Sequence, residues 1–326
     1  MRPFVPFFRN SHLLTIAGNY WRRNLDEQRF PVETKFYDTE PGVQVRVDSQ
    51  APPGEPAAHL ILIHGLEGSS AAGYARSLAQ AALEAGCAVH RFNMRSCGGT
   101  EHVSGRTLYH SGLTSDVLAV IRQLPRVVPI FLVGFSLGGN VVLKLAGELG
   151  ESAADWIAGV VAVSTPIDLA ACVRQLGQPS NIIYARRFVA RLKERVRAKE
   201  RVTPGIFDLS VLDRVGSVYE FDDYITAQLF DFGSADNYYA TQSANQFLER
   251  IRIPTLVVQA KDDPMIPFAV YNHPAFATNP YLRLIATEQG GHLGFISKTL
   301  PRFWLDQVLV HWVMETRNKV SAGFVS

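Results

Sequence analysis

The chain has 326 residues, 47% of them hydrophobic and 19% charged, a globular composition that excludes a disordered or fibrous protein and is long enough to bury a large core without staples. Thirty-two basic residues against thirty acidic ones leave a net charge of +2, which excludes a chain-wide nucleic-acid footprint. The three cysteines, Cys87, Cys97 and Cys172, are odd in number and lack CxxC spacing, which argues against a disulfide framework or a zinc ribbon and fits a reducing, cytoplasmic compartment.

Residues 1–8 are aromatic but interrupted by Pro3 and Pro6, with no apolar stretch of signal-peptide length. Nowhere does an apolar run approach the 18 or so residues that span a bilayer. From His59 onward, short β-branched runs alternate with amphipathic stretches. Leu60–Ile63 reads as a buried strand, Tyr74–Ala85 as a helix stopped by Gly86, and Ala88–Phe92 as the next strand. A helix capped by Thr114 or Ser115 runs to Leu124. Ile130–Val133 then predicts a strand, Leu137–Leu149 a helix and Ile157–Val163 a strand. This rhythm predicts an α/β fold with a mostly parallel sheet and helices on both faces.

After Pro166 the rhythm breaks. Residues 166–248 show helical spacing and aromatics but no buried strand, and are expected to be a helical cap inserted between core segments 1–165 and 249–326. Within that stretch, Arg186–Arg201 carries eight basic residues against two acids. The local +6 therefore sits on a remainder of −4. Val189, Leu192 and Val196 form an apolar stripe beneath this basic face. It reads first as a solvated helix of the insertion, and more sharply as a face for peripheral contact with anionic lipid or substrate head groups. The βα pattern resumes with strands at Thr255–Gln259 and Leu282–Ala286, and closes with a helix at Phe303–Val313.

Gly134-Phe135-Ser136-Leu137-Gly138 lies at a predicted strand-to-helix junction. Plain Gly/Ser turns share this pattern, so its position carries the argument: a sharp turn there lifts a serine hydroxyl out of the sheet beside unpaired helix N–H groups. A serine needs a base. His292, in Gly290-Gly291-His292-Leu293-Gly294 after the last predicted strand, is placed to supply it. An orienting carboxylate is expected on the loop after Gln259. Asp263 is favoured over Asp262 because Asp263-Pro264-Met265-Ile266-Pro267 stiffens its direction, and Asp168 is a third candidate. The order Ser136…Asp263…His292 is that of the α/β-hydrolase triad. Leu66, in His64-Gly65-Leu66-Glu67-Gly68, and Leu137 are the expected oxyanion N–H donors, with His64 shaping the loop. HExxH, GxGxxG and P-loop patterns are absent, so neither cofactor nor metal is expected.

Several segments together resemble the family-4 α/β-hydrolases, bacterial esterases related to the mammalian α/β-hydrolase-domain lipid esterases. They are Phe8-Arg9-Asn10-Ser11-His12-Leu13-Leu14-Thr15-Ile16, His64–Gly68, Asn93-Met94-Arg95-Ser96-Cys97-Gly98, Tyr109-His110-Ser111-Gly112-Leu113-Thr114-Ser115-Asp116, Gly134–Asn140, Phe221-Asp222-Asp223-Tyr224-Ile225-Thr226-Ala227 and Tyr238-Tyr239. The resemblance implies an eight-stranded α/β-hydrolase fold with a helical cap, Ser136, Asp263 and His292 in the triad positions, and hydrolysis of carboxylic esters. Ser96 stands where relatives usually carry glycine. The expected substrate is a short- to medium-chain acyl ester or a lipid ester. An acyltransferase or thioesterase on the same triad, or a non-catalytic scaffold, are the alternatives.

Overall fold

Leu60-Ile61-Leu62-Ile63 shows how the core is organised in the computed structural model, which describes residues 3–323. Successive strand side chains point to opposite faces. Leu60 and Leu62 accordingly pack on one side, with Val89, Phe131, Val133 and Val161. Ile61 and Ile63 pack on the other, with Leu132, Val160, Ala162 and Val257. An apolar run is needed here because both faces are covered, and each such side chain contributes about 1.5–3 kcal/mol by leaving water.

The eight strands are β1 (Glu33–Glu40), β2 (Val43–Gln50), β3 (His59–Ile63), β4 (Ala88–Phe92), β5 (Ile130–Phe135), β6 (Gly159–Val163), β7 (Thr255–Ala260) and β8 (Leu282–Thr287), in the sheet order β1-β2-β4-β3-β5-β6-β7-β8. Strands β1 and β2 form an antiparallel hairpin, and β2 runs antiparallel to β4. From β4 to β8 all neighbours are parallel. The expected mostly parallel, eight-stranded α/β-hydrolase sheet is therefore present. The β1–β2 hairpin escaped the sequence reading because β1 is largely exposed and polar, so it lacks the apolar run that marks the inner strands.

Helices α1 (Ser11–Tyr20), α2 (Gly73–Glu84), α3 (Ser115–Gln123), α4 (Leu137–Leu149), α5 (Leu169–Leu176), α6 (Ile182–Val202), α7 (Ala235–Gln242) and α8 (Trp304–Gly323) surround the sheet. Ala75, Leu78 and Ala82 of α2 share one face with Leu305, Val308 and Leu309 of α8, while α3 and α4 cover the other. Helix α8 runs ten residues beyond the predicted Val313. Thr114 occupies the position before α3, but its hydroxyl donates to Glu148 Oε2 (2.6 Å) and gives the helix no side-chain cap.

Among the described residues, the segment between β6 and β7 is helical, with a π-helical turn at Asp222–Thr226. The stripe of Val189, Leu192 and Val196 on α6 is buried, and so is Lys199. The stripe lies beneath the helix as expected and Arg186, Arg191, Arg197 and Arg201 are exposed, but two cations of the basic run, Arg195 and Lys199, face inward. Lys199 donates to the Glu101 carbonyl, and Arg195 pairs with Glu67. No helix among the described residues is long and apolar enough to cross a membrane.

Candidate active site

Ser136 occupies the turn between β5 and α4 with φ 52° and ψ −121°, a left-handed backbone that a residue bearing a Cβ adopts only at a cost. The turn is held by Ser136 N–H donating to Val163 O (2.8 Å) and Gly139 N–H donating to Ser136 O (2.8 Å). Its tightness explains two of the glycines: a Cβ on Gly134 would strike the Gly138 carbonyl, and one on Gly138 would strike the Ile63 carbonyl.

The structure brings the three expected side chains together. His292 Nε2 lies 3.0 Å from Ser136 Oγ, and His292 Nδ1 lies 2.9 Å from Asp263 Oδ2. A carboxylate can only accept, so Nδ1 carries the proton and Nε2 is left to accept from the serine. Asp263 is fully enclosed at its side chain, which would be costly for a lone carboxylate. Its Oδ1 accepts from the Met265 (2.9 Å) and Ile266 (3.1 Å) N–H groups, and Gln259 Nε2 donates to Oδ2 (3.2 Å). Asp262 points elsewhere, accepting the Gly291 N–H at 2.9 Å, with burial pushing its carboxyl up. Asp168 caps α5 through the Ala171 N–H.

The loop after β3 is pinned on both sides of Leu66. His64 is buried; its Nδ1–H donates to Gly65 O (2.7 Å) and its Nε2 accepts the Met94 N–H (3.1 Å). Burial lowers its pKa to about 4, so it stays neutral in this wedge. Gly65 N–H donates to Tyr74 Oη and Glu67 N–H to Tyr109 Oη, both at 2.9 Å. Between them, Leu66 lines the same cleft as Leu137, Ser136 and His292. Among the described residues neither the Leu66 nor the Leu137 N–H has a protein acceptor.

Two supports were not identified in the sequence. Glu67 sits at φ 55°, and its Oε1 accepts from both Tyr109 Oη (2.9 Å) and Arg195 Nε (2.7 Å). Helix α6 thereby reaches into the loop that carries Leu66. Helix α1 holds the backbone of His292: Thr15 Oγ1 accepts the His292 N–H (2.9 Å) while donating to Ser11 O (2.7 Å). Gly18 of α1 abuts Gly294, where a Cβ would come within 2.7 Å of Cα. The matching segment Phe8–Ile16 drew attention to this region without indicating its contact. Ser96, the departure from glycine, takes φ 58° and is held there by Ser104 Oγ on its N–H (2.7 Å). Cys97 is packed, and burial pushes its thiol up to about 12, so it supplies no nucleophile.

Two clefts meet at Ser136 and His292. One, of about 890 Å³ including space open to solvent, is walled by apolar residues such as Leu169, Leu176, Phe188, Leu192 and Phe221. The other, about 1370 Å³ on the same basis, lies between α1, α6 and the Gly65–Tyr74 stretch and is more polar.

The sequence pattern of the alpha/beta hydrolase fold matches residues 58–299. A protein of Escherichia coli (strain K12) named "Putative esterase YheT" is 33% identical, over 95% of this chain and 92% of its own. Phospholipase ABHD3 of Mus musculus is 27% identical, over 78% of this chain and 62% of its own length. The crystallised Pyrococcus furiosus esterase Pf2001 superposes with a TM-score of 0.59 at 17% identity, covering 90% of this chain and 98% of that one, a likeness in fold. The match across most of the chain, and the bacterial relative that spans nearly all of both sequences, show that this chain belongs to the α/β-hydrolase fold family.

Proposed function

We propose that the chain is a serine ester hydrolase working by two-step acyl transfer. The observation that carries this reading is the unbroken hydrogen-bonded relay from Ser136 through His292 to Asp263, at 3.0 and 2.9 Å, beside a turn with two uncommitted N–H groups. His292 takes the Ser136 proton as Oγ bonds to the ester carbonyl carbon. Asp263 fixes the imidazole tautomer and stabilises the imidazolium. The carbonyl oxygen, now an oxyanion, is held by the Leu66 and Leu137 N–H groups, each worth roughly 3–4 kcal/mol in the transition state. The tetrahedral species collapses, His292 returns its proton to the departing alcohol, and water repeats the sequence to release the acid.

Residues 166–248 act in this proposal as a cap over the core, supplying Phe188 and Phe221 to an apolar cleft for the acyl chain. Short- to medium-chain acyl esters or lipid esters are the substrate class, in keeping with relatives named esterase and phospholipase. Replacing Ser136 with Ala and assaying p-nitrophenyl butyrate tests the reading. Turnover is expected to fall by at least a thousandfold, with loss of fluorophosphonate labelling, roughly the scale on which triad members act. Retained turnover sinks the nucleophile assignment.

A further inference from the structure

Resting on that reading, the more polar cleft says what kind of alcohol the ester carries. We infer that it binds an alcohol bearing an anionic group of the phosphate type. Arg187 and Arg191 both line this cleft with Ser136 and His292. They stand four residues apart on α6 and so occupy one face a turn apart, where like charges repel. Arg187 is half-buried and held in direction by Tyr20, to whose Oη it donates (2.8 Å) and over whose ring it lies at 5.4 Å. Arg191 is exposed at the rim.

No carboxylate among the described residues forms an ion pair with either guanidinium. The same helix pairs Arg195 with Glu67 and Arg201 with Glu194. Glu67 is the one acidic residue lining the cleft, and its carboxylate is already engaged by Arg195 and Tyr109. The cleft is therefore lined, together with Ser136 and His292, by two fork-shaped donors that no carboxylate among the described residues neutralises. Planar guanidinium groups match phosphate oxygens in pairs. Asn19 and Ser69, in the same lining, add neutral donors. An acyl chain in the apolar cleft and a phosphate near Arg187 and Arg191 would place the ester carbonyl between them, at Ser136.

The test compares kcat/KM for 1-octanoylglycerol and 1-octanoylglycerol 3-phosphate, both as monomers, in the wild-type protein, Arg187→Gln/Arg191→Gln and Arg197→Gln. Arg197 is an exposed cation of the same helix outside the cleft. One charge-assisted hydrogen bond predicts a tenfold to roughly hundredfold preference for the phosphate ester. That preference should fall to within about twofold in the double variant and persist in Arg197→Gln. A parallel arm presents dioleoylphosphatidic acid in vesicles: an Arg187/Arg191-dependent preference confined to vesicles assigns the site to a lipid head group, one seen with monomers to a soluble phosphate ester. Equal hydrolysis of charged and neutral esters by wild type, or a preference that survives in the double variant, overturns the anionic site and leaves the Ser136 reading standing. Failure to hydrolyse any ester overturns both.

Discussion

The pair Glu67–Arg195 joins helix α6 to the loop that carries Leu66, and its coupling can be measured. The side chains are 3% and 12% exposed, so removing one partner strands the other in a poorly solvated site. Arg195→Met leaves the Glu67 carboxylate with only the Tyr109 hydroxyl, at the lower end of the 3–5 kcal/mol typical of a broken buried pair, about 3. Glu67→Gln keeps a neutral acceptor for Arg195 and should cost about 2 kcal/mol. The double variant buries an amide beside a thioether, with no stranded charge, and should cost only about 1–2 kcal/mol. A coupling of about 3–4 kcal/mol is therefore expected from urea unfolding of the four proteins. Because Glu67 N–H and Oε1 both meet Tyr109, loss of the pair should also turn the Leu66 N–H away from the oxyanion. Such a donor is worth about 3–4 kcal/mol when fully aimed, so partial misalignment predicts a drop of about tenfold in kcat for Glu67→Gln, with KM within threefold. Additivity within about 0.5 kcal/mol, or an unchanged kcat, refutes the reasoning.

Thr15→Val removes the acceptor of the His292 N–H while keeping shape; kcat on p-nitrophenyl butyrate should fall about tenfold, and Thr15→Ser should restore most of it, since one hydrogen bond is worth about 1 kcal/mol. Unchanged kcat in Thr15→Val removes α1 from the positioning of the base. Leu192 walls the apolar cleft, so Leu192→Ala should move the preferred acyl length upward by about two carbons, at a stability cost of about 2–4 kcal/mol. An unmoved optimum in a p-nitrophenyl ester series places the acyl chain elsewhere. His64 is held neutral by burial at a pKa of about 4 against an ordinary 6.5. The unfolded chain binds that proton first as pH falls, so this contribution is complete above about 6.5 and is lost towards pH 4, amounting to about 3 kcal/mol. His64→Gln should flatten unfolding midpoints across that window, and an unchanged pH slope rejects the role.

How much of the protein could be read in advance follows from how local each signal is. The inner strands and α4 are local patterns of burial, and helix α4 begins and ends as the spacing predicts. The choice of Asp263 over Asp262 rested on proline-stiffened geometry, and the two carboxylates do diverge, one to the His292 ring and one to the Gly291 N–H. Arg195 could not be told from its neighbours in a run of eight cations, because its distinction is the position of Glu67, 128 residues away. Thr15 likewise looks like any threonine on a short helix. Polar β1 carries no apolar signature, and its strand character comes from its pairing with β2.

The hydrogen bond from His292 to Thr15 spans 277 residues of chain. Contacts so remote in sequence form only after the intervening chain is ordered, because closing a long loop is opposed by its entropy until other contacts hold the ends. Strands β3, β5 and β6 fix the Ser136 turn with partners drawn from the middle of the chain, without α1. Loop-closure entropy therefore predicts that the Ser136 turn can form before His292 is clasped by the N-terminal helix. Alignment of His292 would then be among the last features to form, later than the secondary structure, and a sheet-complete but unclasped protein is expected to turn over esters about tenfold more slowly.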